Sequence, residues 1–102
     1  MAVQIIENWA DVRGRVTFVR AASEPEVAIV GVAVDAADDV AGFRNLMRRH
    51  VGSEIHIRVP KDILRRLPLQ PQAEVTIRVS AGGLESFFLD PKNVRIGHPT
   101  TP

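Results

Sequence analysis

Basic side chains are concentrated in residues 48–66, whose sequence is RRHVGSEIHIRVPKDILRR. Guanidinium and ammonium groups bind phosphates and displace the counterions that surround a nucleic acid. Period-two alternation places Arg58 and Arg78 on the outward faces of two predicted strands, and the remaining cations belong to adjoining predicted helices. We therefore predict a candidate anion-binding or nucleic-acid-binding surface formed by Arg44, Arg48, Arg58, Lys61, Arg65, Arg66 and Arg78.

The overall charge is less basic than that of a typical nucleic-acid-binding domain. The chain has 13 Lys and Arg residues, 12 Asp and Glu residues and a formal net charge of +1. Residues 1–43 contain three arginines and seven acidic residues, whereas residues 44–66 contain seven cations and two acidic residues. Two interpretations stay open: the cations form a solvated surface with local ion pairs, or they form a patch that binds anions.

Aromatic residues that could stack on bases are few. The chain contains one Trp, four Phe and no Tyr, and proteins that bind single strands commonly stack bases on exposed aromatic rings. Phe18, Phe43 and either Phe87 or Phe88 are expected in the core. The sequence therefore predicts that the stacking component of a single-strand binder is missing.

Residue types and spacing argue against most enzyme classes. The chain has no Cys, no serine in a G-x-S-x-G motif and neither of the two common glycine-rich nucleotide loops. His50 and His56 belong to different predicted elements and do not form a metal-ligand pattern. Asp35, Asp38 and Asp39 could hold a hard cation, but helix capping also explains them. We predict no catalytic, cofactor or metal residue and expect that the protein is not an enzyme.

Alternating apolar residues predict β-strands at three places, residues 12–18, 54–59 and 74–80. Residues 27–34 (VAIVGVAV) are apolar on both faces, which is typical of a central strand. Gly31 in this segment indicates a bulge or a sharp bend.

A helical period appears in two places. Between residues 39 and 51 a spacing of 3.6 residues predicts an amphipathic α-helix, with its apolar face formed by Val40, Phe43, Leu46, Met47, His50 and Val51. Gly52 is suited to end this helix. A short helical turn is predicted over about residues 61–67, because Pro60 is compatible with a helix start.

These elements predict one mainly β domain, an antiparallel barrel over residues 1–97 followed by a flexible tail at 98–102, because 102 residues suffice for one core. The chain has no apolar run near the length of a membrane span, no cysteine and no secretory pattern at its start. We expect a cytoplasmic protein that does not bind membranes.

From Gly14 onward the segments GRVTFV, VAIVGVAV, VGSEIHIRV and QAEVTIRV resemble small OB-type barrels, in particular the TOBE modules attached to transport ATPases. The resemblance implies an OB-like barrel. Locally, residues 54–75 resemble the AbrB-type swapped-hairpin DNA-binding fold at Pro60, Lys61, Leu67, Leu69, Pro71 and Val75. Ser53, Glu54 and Gln72 depart from the pattern of that family.

Three functions follow from these patterns. The first is a protein-interaction or self-associating module, in which the acidic half of one chain meets the basic half of another. The second is an OB-like domain that binds nucleic acid through the seven cations. The third is a barrel that binds a small ligand or an anion.

Overall fold

The strands form because alternate apolar side chains can be buried together inside one barrel. The computed structural model describes residues 7–83 and 86–97. Its strands are β1 (Ala10–Ala21), β2 (Val27–Asp39), β3 (Glu54–Pro60), β4 (Glu74–Ala81) and β5 (Phe87–Gly97), with one short helix, α1 (Lys61–Arg66), between β3 and β4. The predictions of a mainly β fold and of a short helix that follows Pro60 are confirmed.

The five strands close into a ring in the order β1-β2-β3-β5-β4, with β4 paired to β1. Neighbouring strands are antiparallel except β3 and β5, which form a short parallel pair at Ile57 with Phe87 and Arg58 with Phe88. Outside these two residue pairs the facing edges of β3 and β5 are not paired with each other.

The core is formed by the inward residues of all five strands. The alternation predicted in β3 and β4 is confirmed, because Ile57, Ile77 and Val79 are fully buried. At one end of the barrel α1 and the segment after it contribute partly buried leucines and the buried Leu69. At the other end, Met47 from the β2–β3 connection is fully buried in the same cluster.

A bulge in β1 changes which side chains face the core. The pairing of β1 with β2 shifts between Val16 and Phe18, so that Val16 and Val19 both point inward. Phe18 consequently lies on the outer surface, opposite Gly31. The prediction that Phe18 belongs to the core is therefore wrong. Gly31 does mark an irregularity, but the bulge lies in the neighbouring strand.

The predicted amphipathic helix over residues 39–51 is wrong. Strand β2 continues to Asp39 because its last residues still pair with the start of β1. A turn with Gly42 at φ +87° follows, and only a 3₁₀ turn forms, at Arg48–His50. Met47 of the expected apolar face is buried. Three other residues of that face are exposed: Phe43, Leu46 and Val51.

The connection between β2 and β3 is stabilised by side-chain hydrogen bonds rather than by the backbone hydrogen bonds of a helix. The Asn45 amide donates to the Ala37 carbonyl and to Asp39, each at 3.0 Å, and its oxygen accepts from the Met47 N–H at 2.9 Å. The backbone N–H of Trp9 donates to the Arg44 carbonyl at 3.1 Å. The connection is thus an ordered loop that closes one end of the barrel.

Strand β5 bulges outward at residues 90–93, where the sequence DPKN favours a turn. Ile77 and Val79 of β4 are two residues apart, but their partners in β5, Val94 and Leu89, are five residues apart. The Asp90 carboxylate accepts hydrogen bonds from the Lys92 N–H at 3.0 Å and from the Asn93 amide at 2.7 Å. The predicted tail at 98–102 lies outside the described residues.

Candidate ligand-binding surfaces

Three of the seven predicted cations form ion pairs with acidic residues. Arg48 pairs with Asp39 at 2.6 Å, and Arg78 pairs with Asp11 at 2.9 Å. Arg58 pairs with Glu24 in the β1–β2 connection. Exposed pairs of this kind add little stability, but they reduce the positive charge that these arginines offer to a ligand.

The seven cations do not converge on one surface. Arg78 lies on the outer face of β4 and pairs across to β1, whereas Arg44 and Arg48 belong to the β2–β3 connection. Arg66 is exposed at the last position of α1. Lys61 and Arg65 are brought together in a groove of about 330 Å³ between α1 and the β1–β2 hairpin.

Arg20, which is not among the seven predicted cations, lines the same groove as Lys61 and Arg65. The floor of this groove is apolar, with side chains from Val19, Ala21, Ala28 and Leu64. Arg20 was missed because its contact with Phe18 depends on the bulge in β1. Its guanidinium carbon lies 5.1 Å from the centre of the Phe18 ring, the geometry of a cation–π contact.

An aromatic row crosses the outer surface of β1, β2 and β3. The ring of Phe18 lies across Gly31, and its centre is 5.1 Å from that of the His56 ring, at an interplanar angle of 79°. The pairing places Phe18, Gly31 and His56 side by side on the three strands.

A second row follows next to the first on the same surface. Arg20 pairs with Ile29, Ile29 with Arg58, and Arg58 with Phe88 of β5. Phe88 is 43% exposed. We call the surface that these two rows form the aromatic–arginine face, and it consists of Phe18, Arg20, His56, Arg58 and Phe88.

One edge of this face carries a carboxylate. Glu54 lies 2.9 Å from His56, and the pKa of Glu54 is lowered by the nearby Thr17 side chain and then by His56. Glu54 is therefore ionised at neutral pH and places a negative charge beside the histidine. A polyanion that approaches the face is expected to contact the edge with Arg20, Lys61 and Arg65 rather than this one.

A separate groove of about 340 Å³ lies at the end of the barrel that Met47 closes. We call it the end groove, and its lining comprises Asn45, Leu46, Arg48, Arg49, His50, Ala81, Gly82 and Phe87. The Phe87 ring is almost fully buried and meets the His50 ring edge to face, with ring centres 5.0 Å apart. This groove therefore combines an apolar floor with three basic side chains.

Neither surface resembles a metal centre. Within residues 7–83 and 86–97 no group of three or more His, Asp or Glu side chains is arranged to hold a metal ion. The same part of the chain contains no helix of the length and apolarity needed to cross a bilayer.

Comparison with models of known protein families, with curated proteins and with solved structures finds no significant match to this chain.

Proposed function

We propose that the protein is a non-enzymatic binding domain whose aromatic–arginine face binds single-stranded nucleic acid. The observation that carries this proposal is the outward position of Phe18 between Arg20 and His56. With Phe88 also exposed, the surface offers the aromatic and guanidinium groups on which bases stack.

The strand order supports an OB-like assignment of the barrel. OB-type barrels have five strands in a Greek-key arrangement and bind oligonucleotides on the face of their second and third strands. In this chain the Phe18 ring covers β2, and His56 and Arg58 belong to β3. The location of these groups over β2 and on β3 supports the proposal that the aromatic–arginine face binds a ligand.

Stacking is expected to contribute more to binding than charge. A stacked base contributes about 1–3 kcal/mol. Arg20, Lys61 and Arg65 have no ion pair with any described residue, so about three phosphate contacts are expected and the salt dependence is shallow. A weak, sequence-tolerant interaction with single strands fits the net charge of +1.

Fluorescence anisotropy with a labelled short oligothymidylate, at low and at physiological salt, tests this proposal. Phe88→Ala and Arg20→Glu should each weaken binding about tenfold. Arg49→Glu, in the end groove, is the matched control and should bind as the unmodified chain does. Equal affinity of the unmodified chain and the three variants would contradict the proposal. It would also be contradicted if a sulfated oligosaccharide displaced the oligothymidylate as well as unlabelled oligothymidylate does and bound the Phe88→Ala variant as tightly as the unmodified chain.

A second candidate function, as a protein-interaction or self-associating module, is supported by exposed apolar side chains in the β2–β3 connection. Phe43 and Leu46 are each 40% exposed and Val51 is 44% exposed. An exposed apolar patch is typical of contact surfaces, and these three residues belong to one connection between strands. Sedimentation velocity at increasing protein concentration and at two salt concentrations tests self-association, which should persist at the higher salt concentration because the contact is apolar; a monomer at every concentration would contradict it.

A further inference from the structure

We propose that the end groove binds an acidic peptide segment of a partner protein, with one bulky apolar side chain of that peptide inserted between Leu46 and Phe87. This inference is independent of nucleic-acid binding and names a partner class for the protein-interaction role. It rests on the charge, the lining and the rigidity of the groove.

The exposed Arg49 of the groove favours an acidic partner. Arg48, Arg49 and His50 line it, and its described lining contains no acidic side chain. Arg48 is paired with Asp39, but Arg49 is exposed and forms no ion pair or hydrogen bond with any described residue. Carboxylates of a bound peptide would supply the partner that Arg49 lacks, and arginine can bind a carboxylate through two parallel hydrogen bonds.

The floor of the groove selects an apolar anchor rather than a base. Leu46 is 40% exposed, and it shares the lining with Ala81 and Phe87. Phe87 is only 6% exposed, and the His50 ring already contacts it. The Phe87 ring is therefore not open to base stacking within the groove, whereas a leucine or phenylalanine side chain could fill the apolar space.

The groove is preformed, which lowers the entropic cost of binding a short peptide. Asn45 bonds to Ala37, Asp39 and the Met47 N–H, and Met47 anchors the connection in the core. On the opposite side, the Asn8 amide fixes the end of β4 through two hydrogen bonds to the backbone of Ala81. Both walls of the groove are thus held before a ligand arrives.

Selection of a random peptide display library on the full chain tests the inference. The selected peptides should be enriched in Asp and Glu around one large apolar residue. Enrichment in basic peptides, or no enrichment at all, would overturn the proposal.

A synthetic copy of the most enriched peptide should then show about tenfold weaker binding to Arg49→Glu and to Leu46→Ser, with no change for Arg20→Glu. Leu46 is exposed, so its substitution should leave the fold intact, and unfolding curves check this. Equal affinity for Arg49→Glu would contradict the inference.

Competition with oligothymidylate gives a second check. If oligothymidylate displaces the peptide and Arg49→Glu no longer binds oligothymidylate, the groove is a nucleic-acid site instead. Loss of oligonucleotide binding in Arg20→Glu alone concerns only the aromatic–arginine face.

Discussion

The ring of Phe18 lies directly on the backbone of Gly31, on the outer surface of the barrel. A Cβ atom added at Gly31 would come 2.3 Å from Cε2 of Phe18 and 2.5 Å from the Thr17 hydroxyl oxygen. Gly31 is therefore required for the Phe18 ring to occupy this position on the sheet. The same contact holds the Phe18 ring beside His56, so one glycine determines the geometry of the aromatic–arginine face.

Gly31→Ala should displace the Phe18 ring at a modest cost in stability, about 1 kcal/mol, because the obstructing atoms belong to side chains that can rotate. NMR should show a change in the ring-current shifts of His56. Gly14→Ala is the comparison: its Cβ would come 2.1 Å from the Ala33 carbonyl oxygen, a backbone atom. We expect a loss of about 3 kcal/mol there, measured by urea unfolding. Equal losses would show that the ring cannot move.

Met47→Ala should destabilise the fold by about 3 kcal/mol, because it removes a fully buried side chain and leaves a cavity at the end of the barrel. Leu46→Ala, at the neighbouring position, should change the free energy of unfolding by no more than about 0.5 kcal/mol. Urea unfolding of the two variants measures the difference. Similar losses at both positions would favour the helical arrangement that the sequence pattern predicts.

Asn8→Ala should cost about 2–3 kcal/mol, since Asn8 is 1% exposed and its amide both donates to and accepts from the backbone of Ala81, at 2.9 and 2.8 Å. Asn8→Asp keeps the acceptor but, when ionised, cannot donate to the Ala81 carbonyl. Its stability should therefore improve as the pH falls and the carboxyl is protonated. Thermal unfolding at neutral and at acid pH checks this, and a variant as stable as the unmodified chain at neutral pH would refute it.

Asp90 should titrate below the usual range of an aspartate. The pKa of Asp90 is lowered first by the hydrogen bond from the Lys92 N–H and then by the Asn93 amide. Because its folded pKa is depressed, Asp90 stabilises the fold at pH values above its ordinary pKa, and this contribution is lost as the pH falls through the folded pKa.

A carboxyl-carbon NMR titration measures the pKa of Asp90 directly. Asn93→Ala should move it up toward the ordinary value of about 3.9. The Glu54 carboxyl, whose pKa is lowered by different residues, serves as the internal control and should not move. An unchanged pKa of Asp90 in this variant would contradict the assigned role of Asn93.

The sequence predicts the barrel well because period-two alternation is a local property. Ile55, Ile57 and Val59 face inward as expected, and so do the corresponding residues of β4. Pro60 also precedes α1, as its missing N–H allows. Each of these features depends on the residues of one segment alone.

The candidate surfaces could not be predicted in the same way, because they depend on pairing between distant segments. In the sequence the alternation of β1 continues from Val16 to Phe18, but an extra residue in the bulge reverses the direction of Phe18. The apolar residues after Asp39 do recur at helical spacing, yet Met47 is the one that is fully buried at the end of the barrel. Tertiary pairing overrides local periodicity at both places.

The parallel contact between β3 and β5 comprises only two residue pairs, far fewer than any other contact between neighbouring strands. The barrel should open locally at this contact before it opens at any other strand pair, and amide hydrogen exchange would measure that local opening. Arg58 and Phe88 stand on opposite sides of that seam. A ligand that contacts both residues would hold the two strands together. Ligand binding to the outer surface should therefore slow the opening of the barrel between β3 and β5.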